Sequence, residues 1–108
     1  MGMTHHERDG RAAVARARAS YRANWHPIQS AVEVVPGEWW MVTQFGDRYA
    51  IILLLEIGGE RGYRAVTGED DPDDRRLIGY FRRLRVACER AHKHWLNLQA
   101  RPGGVNGR

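Results

Sequence analysis

Five cations near the end of the chain have the most chemistry to offer: Arg82, Arg83, Arg85, Arg90 and Lys93. They are interleaved with Leu77, Phe81, Leu84, Cys88, Ala91, Trp95 and Leu98, which recur at alternating steps of four and three. On an α-helix that spacing gathers the apolar side chains into one stripe and leaves the cations on the other faces. Arg75 and Arg76 precede them, and Glu89 is the only acid of the stretch. Guanidinium and ammonium groups in such an array neutralise phosphates and release their counterions, so the pattern suits a nucleic-acid backbone. Arg16, Arg18 and Arg22, in an alanine-rich segment near the start, would form a second polyanion-binding arm. A solvated charged face accounts for the same residues equally well.

The other reactive residue types do not assemble into a site. His92 and His94 are two residues apart, whereas ligands sharing a helical face need spacings of three or four. His5 and His6 lie in a terminal tail, and the single Cys88 has no cysteine partner, so no zinc site is expected. Glu69, Asp70, Asp71, Asp73 and Asp74 lack the glycine and terminal glutamate of a calcium loop, and capping of a helix start is their expected role. Neither Gly58-Gly59 nor Gly103-Gly104 has the lysine and hydroxyl residue of a phosphate loop. Cys88 falls on the apolar stripe and reads as a small buried hydrophobe. With no nucleophile–base–acid constellation, the chain is expected to be non-enzymatic, with no cofactor and no metal.

The 108 residues carry a net charge of +4 and suffice for one domain. The charge is segregated. Residues 56–74 hold Arg61 and Arg64 against seven acids, a net of −5, whereas residues 75–101 hold eight bases against Glu89, a net of +7. Basic ends flanking an acidic middle suggest a polyanion partner. The start, MGMTHHERDG, lacks the apolar stretch of a secretory signal. The longest apolar run, Ala50 to Leu55, is too short for a bilayer. A cytoplasmic protein without membrane contact is therefore expected.

These residues need elements to position them. Residues 1–9 and 101–108 read as tails around a single α+β domain over 10–100. Residues 10–23 form a short helix or basic arm, broken at Asn24-Trp25-His26-Pro27. Ser30 to Val35, Trp39 to Phe45, Arg48 to Ile57 and Arg61 to Thr67 read as strands, separated by Pro36-Gly37, Gly46-Asp47 and Gly58-Gly59. The result is a three- or four-stranded antiparallel meander. Asp71 as N-cap, with Pro72 at the first position, predicts a long helix from about Pro72 to Leu98 packed across the sheet.

The strand from Arg48 to Ile57 is apolar on both faces: Tyr49, Ile51, Leu53, Leu55 and Ile57 on one, Ala50, Ile52 and Leu54 on the other. A sheet with one wet face alternates cleanly, so the face bearing Ile52 and Leu54 needs a cover. The alanine-rich first helix offers little area, and a homodimer is the expected arrangement. Adjacent Trp39 and Trp40 point to opposite faces of a strand, which places one of them, with Ile52 and Leu54, at an interface.

In outline, the order helix, three strands, helix resembles a double-stranded-RNA-binding domain, although DDPDDRR stands where that family carries lysines. Three strands followed by Ala87-Cys88-Glu89-Arg90-Ala91-His92-Lys93-His94-Trp95-Leu96 also resemble the arm-type, AP2-like DNA-binding module of phage integrases over residues 38–96. In that module an exposed sheet enters the major groove; here Arg48 and Arg64 are the only strand cations besides Arg61 at the start of the last strand. The phrase Leu77-Ile78-Gly79-Tyr80-Phe81-Arg82-Arg83-Leu84-Arg85 resembles small proteins of actinobacteria and their phages. Two roles are expected to compete. One is a small nucleic-acid-binding accessory protein acting on DNA rather than RNA, with weak sequence preference and a phage or mobile-element origin. The other is a dimeric adaptor or inhibitor that binds a protein partner through the apolar sheet face.

Overall fold

The computed structural model describes residues 9–14 and 30–100. Residues 9–14 are helical (α1). Five strands follow: β1 (Ala31–Val35), β2 (Glu38–Val42), β3 (Arg48–Ile57), β4 (Glu60–Thr67) and β5 (Leu77–Phe81). The helix α2 (Leu84–Ala100) closes the described chain. The strands form one antiparallel sheet in the order β1-β2-β3-β4-β5, so the fold is α+β. Gly58 and Gly59 take φ values of +60° and +83°, which suits the tight turn between the two longest strands.

The fifth strand lies where the start of the long helix was expected. Asp71 does act as an N-cap, its Oδ1 accepting from the Asp73 amide at 2.9 Å. The helix it starts is one 3₁₀ turn, Pro72–Asp74, which ends at an extended Arg75. Thr67 N then donates to Arg76 O at 2.9 Å and Arg76 N donates to Thr67 Oγ1 at 2.8 Å, starting the pairing of β5 with β4. The segment Leu-Ile-Gly-Tyr-Phe supplies β-branched and aromatic residues and a glycine that weakens a helix. Leu77 and Phe81 therefore leave the helical stripe, which in α2 consists of Leu84, Cys88, Ala91 and Trp95; Leu98 is exposed.

Extra residues in three of the four ladders set which side chains reach which core. Val42 pairs with Arg48 and Met41 with Ala50, leaving Tyr49 as a bulge. Tyr49 thus joins Ala50 and Ile52 on one face, and Arg48 joins Ile51 and Leu53 on the other. Ile78 is likewise extra between Leu77 and Gly79. On the first face Met41, Ala50, Ile52 and Ala65 meet Ala87, Cys88 and Ala91 of α2. Small residues on the helix side let α2 lie close to the sheet. On the second face Val32, Val34, Trp40, Val42, Ile51 and Val66 meet Ala13 and Val14 of α1. The middle of the doubly apolar β3, Ala50 to Ile52, is thus enclosed by the chain's own two helices, whereas Ile57 at its end is exposed. Ile52 and Leu54 face α2, the reverse of the expected assignment, because the longer helix took that side.

Candidate nucleic-acid interface

Arg82 and Arg83 form the bend between β5 and α2, and both are exposed. Arg83 O accepts the first helical bond, from Ala87 N at 3.1 Å, so an arginine occupies the N-cap position. Its side chain carries no acceptor for the free amides of the first turn. That turn holds no acid; it holds Arg85. Three cations thus crowd the positive end of a helix dipole, an arrangement that costs each of them a few tenths to about 1 kcal/mol.

Farther along, Arg90 and Lys93 are exposed on the side away from Ala87, Cys88 and Ala91. Residues 83, 90 and 93 form an outer ridge about 15 Å long at the helical rise. Among the described residues, Arg85 is the one of the five cations that is ion-paired, its Nε lying 3.4 Å from Glu89 Oε2. Arg16, Arg18 and Arg22 lie outside the described residues.

Of the residues expected at an interface, two lie inside the fold and two are half-buried. Trp40 and Ile52 are buried, each in a different core. Trp39 is half-buried and meets Tyr63 edge-on at 5.7 Å between ring centroids. Leu54 is half-buried on the α2 face opposite Tyr63 in β4. The two tryptophans point to opposite faces of the sheet, Trp40 toward the cluster with α1 and Trp39 toward the cluster with α2.

Two arrangements were not anticipated. Around Trp40, the Arg48 guanidinium lies 4.5 Å and that of Arg11 5.4 Å from the ring centroid, while the indole Nε1 donates to Glu38 Oε2 at 2.8 Å. The Arg48 side chain is only 3% exposed. It donates to Gly68 O at 3.1 Å, to Glu69 O at 3.4 Å and to Asp70 Oδ1 at 3.2 Å. Gly68 is required there, since a Cβ would stand 2.7 Å from Arg48 O. Beside this cluster the Thr67 hydroxyl donates to Glu69 and, with Arg76 and Arg75, holds that carboxyl below its ordinary pKa. The second arrangement anchors the middle of α2. Tyr49 stacks on Trp95 at 4.7 Å, and its hydroxyl lies 3.2 Å from His92 Nδ1. Both depend on the bulge at Tyr49, which the strand pattern alone does not reveal. Cys88 is fully buried, and burial pushes its thiol up to about 11, which suits packing rather than nucleophilic chemistry.

No described helix is long and apolar enough to cross a membrane. No protein family, no curated protein and no solved structure matches the chain.

Proposed function

We propose that the chain is a small cytoplasmic nucleic-acid-binding accessory protein that grips phosphates with Arg82, Arg83, Arg85, Arg90 and Lys93. The observation that carries this reading is the start of α2. An arginine N-cap, flanked by Arg82 and Arg85 with no acid in the turn, sacrifices helix stability with no structural return, and local rules are broken in this way where function requires it. The free amides of a helix's first turn beside three arginines adjacent in sequence suit a phosphate. The ridge formed by residues 83, 90 and 93 continues the positive surface along a helix, the element that the major groove of duplex DNA admits and that of RNA does not. Backbone contacts of this kind carry little sequence information. Contact through the helix also departs from the sheet-first docking of the integrase arm module, whose phage origin remains part of this proposal.

Titration with duplex DNA and RNA across salt tests it. Affinity is expected to fall steeply with salt, with a log–log slope of about −0.9 per phosphate contact. Replacing Arg83, Arg90 and Lys93 by alanine together is expected to flatten that slope by two to three contacts' worth. Absence of binding at low salt overturns the reading.

A second reading, a protein-interaction module that pairs with another chain or a second copy, is favoured by one observation. Leu77 and Tyr80, on the α1 side of β5, are 55% and 63% exposed.

A further inference from the structure

We propose that the part of the sheet face that α1 leaves open binds a second copy of the chain about a twofold axis, with Tyr80 of each protomer seated in a hollow of the other. The proposal rests on the second reading above. It is independent of the outer ridge of α2, which lies on the opposite side of the sheet. On the α1 side, Ala13 and Val14 pack with Trp40, Val42, Ile51 and Val66. Alternation along β3, and its pairing through β4 to β5, put Leu53, Leu55, Ile57 and Tyr80 on that same side. They lie beyond the cluster that α1 caps. Ile57, Tyr80 and Leu77 are 72%, 63% and 55% exposed.

This face is complementary to its own image. Leu53, Arg64, Leu77 and Tyr80 border a hollow of about 280 Å³. On the other side of Tyr80, Leu55, Ile57 and Glu60 border a second hollow of about 260 Å³. Tyr80 is therefore an exposed ridge between two depressions, each larger than a tyrosine side chain. A knob beside a hole of fitting size can pack against a second copy of itself, the defining property of a twofold interface. An axis running across the strands sets each Tyr80 into the larger hollow of the other protomer. There the ring meets Leu53 and Leu77 and lies beside the guanidiniums of Arg64 and Arg75, a cation–π setting.

The charges suit the same axis. It reverses the strand direction, so the end of one copy that carries Glu60 faces the end of the other that carries Arg75. Arg75 is held there by the carbonyls of Glu69 at 2.7 Å and Asp70 at 3.2 Å. Arg61, which also borders the second hollow, comes opposite the acidic residues of the segment 69–74. Bases thus meet acids at both ends of the contact. The open face from Ile51 to Ile57 is about 20 Å long and, over β3, β4 and β5, about 14 Å wide at ordinary sheet spacings. Pairing two such faces buries about 1,000 Å² in all, the lower bound for a specific interface. A dimer that dissociates in the micromolar range follows.

The test is sedimentation of the full chain from low micromolar to millimolar concentration, where a monomer–dimer equilibrium is expected. Tyr80→Glu and Ile57→Lys change exposed side chains. Each is expected to leave unfolding unchanged and to weaken the dimer about tenfold or more, whereas Arg90→Ala and Lys93→Ala leave it intact. In a mixture of isotope-labelled and unlabelled protein, the Tyr80 ring is expected to show contacts to the methyl groups of Leu53 and Leu77 in the other copy. A dimer that tolerates both Tyr80→Glu and Ile57→Lys overturns the proposal, as does a monomer at millimolar concentration. For a monomer, radical footprinting of Tyr80 separates this failure from that of the second reading. A reactive Tyr80 overturns the dimer alone, since the face is then open to another protein. An unreactive Tyr80 overturns both, since the chain then covers this face itself.

Discussion

Arg48 and Arg90 carry the same side chain in opposite circumstances. Arg48 is almost wholly enclosed, with its guanidinium on the Trp40 ring, two carbonyls and Asp70 as partners. Arg90 stands exposed on the outer ridge of α2. A basic composition therefore says little about partners until its cations are separated by what each already holds. Arginine stacks on aromatic faces and forks toward oxygen acceptors, so a fold can consume its charge internally. What remains available for a polyanion is the set whose donors are unspent.

The largest expected effect tests the consumed set. Arg48→Ala removes a cation–π contact and charge-assisted hydrogen bonds, and is expected to cost about 2–4 kcal/mol in denaturant unfolding. Arg48→Lys keeps the charge without the fork and should fall between the two. Loss of nucleic-acid affinity in Arg48→Lys, with stability intact, would break the division between the two sets.

Arg83→Asp tests the other set in the opposite direction. An aspartate at the N-cap supplies the missing acceptor and suits the helix dipole, so stability is expected to rise by about 1 kcal/mol. The same change should weaken polyanion binding, because it reverses one charge at the centre of the cationic cluster. A variant both more stable and equally tight would remove the start of α2 from the proposed surface. Arg90→Ala and Lys93→Ala should each stay within about 0.5 kcal/mol of the parent while lowering the salt slope.

The smallest effect is a pH dependence. The Glu69 carboxyl lies below its ordinary value of 4.5, chiefly through the Thr67 hydroxyl. Its contribution to stability is full above that ordinary value and is lost as pH falls through the depressed one. Thr67→Val should therefore lower stability above pH 4.5 and narrow the gap from the parent in more acid solution. A gap that widens on acidification would contradict this assignment.

Much of the fold was legible because its signals are local. Pro36-Gly37 and Gly58-Gly59 mark turns, alternation marks β1, and aromatic and β-branched content marks β2. The series from Leu77 to Leu98 misled because a strand happened to extend a genuine helical spacing. Asp71 and Pro72 added to this by capping a single turn that resembles the start of a longer helix. The exposed cations of α2 could be read from sequence, since an outward helix face needs no tertiary information. Arg48 could not, because its role depends on the bulge at Tyr49 and on the return of residues 68–70 to the sheet. Which of Trp39 and Trp40 lies deeper was not legible either, because it depends on α1 covering the Trp40 side of the sheet.

Every neighbour in the sheet is also a neighbour along the chain, and only Arg82 and Arg83 separate β5 from α2. Each pairing therefore closes a short loop, and the entropy of bringing distant segments together is spent in small instalments. The pairings within the sheet span short stretches of chain, which favours rapid growth of the sheet. Once one hairpin has formed, the next strand already hangs beside its open edge, so the sheet can grow by zippering from turn to turn.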